Sequence, residues 1–265
     1  MIRSKCRPVA IVFILAVAMG VAARVSAEGP RALHPDASAA GVVAAAPDDA
    51  RDDASALIVT ADFNRDGIAD IAKVNLSTAS GSGARFLSVL LGQADGTFRR
   101  VATTPVLGHD PRSLVVADFN GDGNLDLIVG DGDGSVIELL GDGKGHLISA
   151  GAIAQLGSVV SIAVSDFNHD GIPDLAVSDF GSNSVTILLG AGKGSFRPAW
   201  SFSLPMRGSV FRLAAADFNG DGIPDLAIAN DDQNSFEVML GNGNGTFTYA
   251  PALSNVKDPN SYCPS

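Results

Sequence analysis

The phrase D-F-N-x-D-G-x-x-D occurs four times, at Asp62–Asp70, Asp118–Asp126, Asp166–Asp174 and Asp217–Asp225, and nothing else in the chain constrains it as much. Side-chain oxygens stand at loop positions 1, 3, 5 and 9, with glycine at position 6. A hard cation wants such a set: calcium takes six to eight oxygens at roughly 2.3–2.6 Å, and a tight loop must fold back to present them. Gly67, Gly123, Gly171 and Gly222 supply a backbone conformation that a side chain would penalise. A plain Asx-Gly hairpin turn does not need four oxygens at fixed offsets.

The expected ligands are therefore Asp62, Asn64, Asp66 and Asp70 in the first loop, and Asp118, Asn120, Asp122 and Asp126 in the second. In the third and fourth they are Asp166, Asn168, Asp170 and Asp174, and Asp217, Asn219, Asp221 and Asp225. The main-chain carbonyl at position 7 (Ile68, Asn124, Ile172 or Ile223) is expected to add one more, for about four Ca²⁺ per chain. An EF-hand shares positions 1, 3, 5 and 6 but closes with a glutamate at position 12 between two helices. Position 12 here is Lys73, Val129, Val177 or Ile228. The flanks are short apolar runs such as Leu114–Ala117 and Leu127–Val129, which predict strands. Each loop thus lies between two strands and is closed by its own position-9 aspartate.

The first aspartates are 56, 48 and 51 residues apart, the longest interval carrying a Ser/Gly-rich insertion around Ser77–Gly83. Four strand-like segments follow one another in each period. The first ends in the loop, the second begins at the closing aspartate, and the third ends in Leu-Gly at Gly92, Gly141, Gly190 and Gly241. A glycine hairpin such as Gly143-Lys144-Gly145 leads to the fourth, and Pro105 and Pro111 suit an outer edge. Four antiparallel strands per period of about 50 residues predict propeller blades. The small residues of Leu213–Ala216 suit a strand nearest the axis.

The loop, the D-L-A-V-type strand after it and the L-L-G-x-G-x-G-x-F hairpin resemble FG-GAP repeats, the VCBS-type bacterial relatives of the integrin α-subunit β-propeller. The resemblance covers residues 55–256. It implies calcium bound in a β-hairpin of each blade, and work in extracellular adhesion and ligand binding. The family's propellers usually have about seven blades; this chain has four. The tail Asn255–Ser261 resembles Leu107–Ser113, which introduces the second loop, and the chain stops soon after. The fold expected is all-β, with four blades in an open or partial propeller whose end faces favour self-association or completion by a partner.

Residues 1–27 read as a secretory signal, with a retained membrane anchor as the alternative. Arg3, Lys5 and Arg7 precede an apolar stretch from Val9 to Ala22, and Val25-Ser26-Ala27 ends it with small residues. Residues 28–54, rich in Ala, Asp and Pro, read as a flexible linker, and 257–265 as the start of an incomplete blade. Export removes four basic residues and no acid, so the net charge goes from −11 to −15, and four Ca²⁺ would bring it to about −7. Such acidity argues against nucleic acid or anionic membrane as a partner. Cys6 leaves with the signal and Cys263 stands alone, so no disulfide framework is expected. The function expected is a secreted or cell-envelope calcium-binding module for a protein or glycan. The alternative is a hydrolase or lyase with catalytic groups on blade loops. His34, His109, His146 and His169 read as exposed turn or linker residues, and no G-x-S-x-G or H-E-x-x-H is present. Trp200, Phe202, Phe211 and Tyr249 could stack on sugar but read first as packing.

Overall fold

Each closing aspartate opens a strand whose residues alternate between two faces, both covered in the second and third repeats and one in the first and fourth. The computed structural model describes residues 41–44, 57–75, 85–106, 110–203, 211–230 and 235–250, all within a unit running Ala40–Ser265; Met1–Ala39 is a separate unit outside the described residues. Also outside them are the insertion at 77–83, His109, the tail 257–265 and, as a side chain, Phe211.

The first sheet contains β1 (Gly41–Ala44), β2 (Leu57–Ala61), β3 (Asp70–Asn75), β4 (Arg85–Gly92) and β5 (Phe98–Val106) in that order. The second has β6 (Pro111–Ala117), β7 (Asp126–Asp131), β8 (Ser135–Gly141) and β9 (Leu147–Gln155). The third has β10 (Val159–Ser165), β11 (Asp174–Asp179), β12 (Ser184–Gly190) and β13 (Phe196–Ser203). The fourth has β14 (Phe211–Ala216), β15 (Asp225–Asn230), β16 (Ser235–Gly241) and β17 (Phe247–Tyr249). All pairings are antiparallel. Four consecutive sheets of this kind, none closed into a barrel, are propeller blades.

Two details differ from the sequence reading. Within the segment read as linker, Gly41–Ala44 pairs with β2 and gives partners to a strand edge that would otherwise be free. Pro111 does not end an outer strand; it is the first residue of β6, opposite Asp131, where a missing N–H is tolerated.

Three hydrophobic cores lie between successive sheets. Phe63, Val74, Leu87 and Leu91 meet Leu127, Leu139 and Leu147 in the first. Val115, Ile128 and Val136 meet Ile162, Leu175 and Leu188 in the next. Ala176, Ile187 and Leu189 meet Leu226, Ile228 and Met239 in the last. Among the described residues no core joins the fourth sheet to the first, so the blades form an open array.

The first strands β2, β6, β10 and β14 neighbour one another in that order, which makes them the inner strands. Their free amides find hydroxyls across the seams: Ile162 N–H donates to Ser113 Oγ at 3.0 Å and Leu213 N–H to Ser161 Oγ at 3.1 Å. Neither serine stood out in the sequence.

The Leu-Gly ends explain themselves sterically. A Cβ on Gly141 would overlap the carbonyl oxygen of Leu125, and Gly92, Gly190 and Gly241 meet the equivalent carbonyls of Ala69, Pro173 and Pro224. Gly141→Ala is therefore expected to cost about 1–3 kcal/mol as an overpacked site, read as a lower denaturant midpoint at unchanged slope.

Candidate metal loops and the clasp between sheets

Each loop curls because its aspartates and asparagine accept the amides of the following residues. Asp62 accepts from Asp66 N–H at 3.1 Å and Gly67 N–H at 2.7 Å, and Asp118, Asp166 and Asp217 do the same in their loops. Asn64 accepts from Asp66 N–H and donates through Nδ2 to its carboxylate at 2.8 Å, as Asn120, Asn168 and Asn219 do with Asp122, Asp170 and Asp221. Position 5 in turn holds the N–H of Ile68, Asn124, Ile172 or Ile223 at 2.7–2.9 Å. Glycine at position 6 has φ of 81–84°, which only glycine adopts readily.

Position 9 is different. Asp70, Asp126, Asp174 and Asp225 are fully buried. One oxygen accepts the N–H of the loop phenylalanine, Phe63, Phe119, Phe167 or Phe218, at 2.8–3.0 Å. The other accepts the N–H of the Leu-Gly glycine at 2.8 Å in every copy. Burial pushes the Asp126 and Asp174 carboxyls up to about 6 against the pull of those amides, and neighbouring loop carboxylates add to the rise. Burial raises Asp70 too, with Asp62 and Asp66 pushing the same way.

The donor set is all oxygen, with three carboxylates and a carboxamide inside nine residues, which fits a hard cation. Positions 1, 3 and 5 are linked by the loop's own hydrogen bonds, and position 9 is buried. Among the described residues no three of His, Cys, Asp and Glu converge into a ready-made metal cluster. A carboxylate offers about four acceptor sites, so the two amides on Asp62 leave capacity for an ion.

The same loops tie sheet to sheet. Gly145 N–H, in the hairpin of the second sheet, donates to Phe63 O of the first at 3.2 Å. Gly194 repeats this with Phe119 O at 3.3 Å, and Gly245 with Phe167 O at 3.0 Å. Position 4 reaches across as well: the Arg65 guanidinium donates to Gly123 O at 2.5 Å, and His169, exposed, lies beside Gly243. His146 pairs with Asp142 inside its own hairpin at 2.8 Å. Trp200 packs on Phe202 and stacks on Phe247, as a core group does, whereas Tyr249 is exposed.

Sequence reasoning passed over a second set of acids. Asp131 and Asp179 close the opposite strand ends, Asp179 taking the amides of Gly157, Ser158 and Gly181 at 2.8 Å. The D-x-x-x-x-D spacing on β7 and β11 is the signal that could have found them. Glu138 is 3% exposed, and its Oε1 has no hydrogen-bond partner. Its carboxylate occupies the place a Gly194 side chain would take, and burial, with Asp126 nearby, pushes it up to about 7.

The FG-GAP-like repeat model matches residues 62–129, 118–177, 166–228 and 217–262, and the chain belongs to that family. Each match starts at a loop, and the first three run past the next one. Among solved structures, the chain is similar to BBS1N in complex with ARL6DN. In the mercury-soaked crystal the identity is 13% and the TM-score 0.45, covering 74% of this chain and 53% of that one. In the lead-soaked crystal the identity is 16% and the TM-score 0.43, covering 78% and 57%. The chain thus spans a little over half the length of those chains. No curated protein matches it.

Removing a position-9 carboxylate strands at least two buried amides, each costing about 1–3 kcal/mol. Asp126→Ala is therefore expected to lower the unfolding midpoint sharply even in EGTA, and a variant as stable as the parent under chelation would refute the anchoring role. For Glu138 the folded state holds its proton more tightly than the unfolded chain. Stability then falls as pH rises from about 4.5 to 7, by about 3 kcal/mol in all. Glu138→Gln is expected to flatten that decline, read as melting temperatures of variant and parent diverging between pH 5 and pH 8.

Proposed function

We propose that the chain is a calcium-stabilised binding module of the extracellular or cell-envelope space, and that its ligand is a protein or glycan. The FG-GAP repeat array points to interaction or adhesion as the class of work. One observation carries the calcium reading: four loops, alike in the amides that positions 1, 3, 5 and 9 accept, each set three carboxylates and a carboxamide within nine residues, the last carboxylate buried. Asp62, Asn64, Asp66 and Asp70, with the carbonyl of Ile68, would hold one ion, and the three equivalent sets would hold the others. Calcium there supplies charge. It relieves the repulsion among three carboxylates per loop and fixes the loop against the strand that follows. The signal-like residues 1–27 agree with export, where free calcium is millimolar rather than scarce. The acidic balance favours a partner that is neither nucleic acid nor anionic lipid.

Extracellular modules commonly bind calcium with Kd on the order of 10⁻⁴–10⁻³ M. At 10 mM calcium each occupied site would add about 1–3 kcal/mol through RT ln(1 + [L]/Kd). The melting temperature is expected to rise markedly from EGTA to 10 mM calcium, with close to four ions per chain by metal analysis. An unmoved melting curve and no bound calcium would remove the ion from the proposal. A glycan array read beside a turnover screen on polysaccharides and phosphoesters separates binding from the enzyme reading.

A further inference from the structure

Every seam joins one face of a sheet to the opposite face of the next. In each, the loop phenylalanine of the earlier sheet meets the apolar residue after the glycine hairpin of the later one. Phe63 shares a core with Leu147; Phe119 meets Phe196 edge-on at 5.9 Å and Phe167 meets Phe247 at 5.4 Å. Among the described residues four sheets make three seams, so half of such a contact is without its counterpart at each end.

At the first sheet the leftover half is Phe98, 50% exposed where Leu147 is 2% and Phe247 6%. Ile71, Phe86 and Leu90 lie on the same outward face, alternating with Ala72, Leu87 and Leu91 of the first core. At the fourth sheet it is Phe218, half-buried where Phe63, Phe119 and Phe167 are at most 3% exposed. Ala227, Phe236 and Leu240 lie with it, alternating with residues of the last core, and are likewise only partly covered.

We propose that these two end faces bind one another between copies of the chain, head to tail, with Phe218 of one copy against Phe98 of the next. The warrant is continuity with the three internal seams. The outward face of the fourth sheet is the kind of surface that sheets one to three present to their successors. The outward face of the first is the kind that receives it. The contact is weaker than an internal seam for two reasons. Gly96 N–H, which would make the clasp, is bonded within its own hairpin to Gln93 O at 2.9 Å. Lys73 stands on the receiving face where Val129, Val177 and Ile228 are buried. Ring and aliphatic packing remain, so the association is reversible. A head-to-tail contact closes into a ring or runs on as a filament; two chains would make eight blades, within the range that propellers use. The inference is independent of the calcium reading.

The test uses the full chain with Phe98→Asp and Phe218→Asp, by sedimentation across a concentration series. The parent is expected to show mass above one chain that grows with concentration, and each variant alone to stay monomeric. An equimolar mixture is expected to give a two-chain species, because one variant keeps an intact fourth face and the other an intact first face. A parent monomeric at every concentration overturns the proposal, as does a mixture that stays monomeric. Association of Phe98→Asp alone at the parent's level also overturns it, by showing that fourth faces pair with each other. Matching melting curves confirm that the variants fold; if an Asp variant melts early, the corresponding Ser substitutions repeat the test.

Discussion

The buried carboxylate at loop position 9 holds the rest of this structure in place. Its two oxygens lie between the start of the loop and the end of the third strand, two points far apart along the chain. Carboxylate-to-amide bonds are charge-assisted and roughly twice as strong as neutral ones, yet burying the group costs heavily unless it is fully bonded. Asp126 meets that condition with Phe119 N–H, Asn120 N–H and Gly141 N–H. The phenylalanine fixed in this way then offers its carbonyl to the glycine of the next hairpin. One side chain thereby sets the conformation of its own blade and the position of its neighbour.

Repetition of that unit makes the fold a nearest-neighbour array, in which each blade depends on the one before and the one after. The seams share the clasp but not their fillings. The first adds the Arg65 reach to Gly123, the second encloses Glu138, and the third is packed by Trp200 and Phe247. Among the described residues Glu138 of the second seam carries a buried oxygen without a hydrogen-bond partner, and Glu237, buried on the Met239 side of β16, is likewise raised by burial, so more than one seam carries a pH-dependent group.

The period, the strand starts at Asp70, Asp126, Asp174 and Asp225, and the strand ends at the Leu-Gly glycines were legible in the sequence, because each rests on a local rule: a turn, an alternation or a glycine. The open array was legible too, from the small residues of the inner strands and the resemblance to a family of larger propellers. What escaped depends on contacts between blades. Ser113 and Ser161 look like ordinary strand residues until the neighbouring inner strand brings an unpaired amide to them. Asp131 and Asp179 draw no notice until the connection into the inner strand folds over them. Gly41–Ala44 carries too few apolar residues to announce a strand, and becomes one only where β2 offers an edge.

The loops also separate two kinds of aspartate that the sequence presents as one ligand list. Those at positions 1 and 5 are partly or fully exposed, accept only local amides and retain acceptor capacity. Those at position 9 are buried with each oxygen already bonded to an amide that nothing else serves. Loop curvature rests on the amides that positions 1, 3 and 5 accept, and the clasp on the phenylalanine carbonyl that position 9 holds in place. An ion seated above position 9 would then act on what the amides leave unsettled, the mutual repulsion of the exposed carboxylates. That repulsion grows with every repeat added to an already acidic chain. The array can lengthen by copying one self-bonded unit.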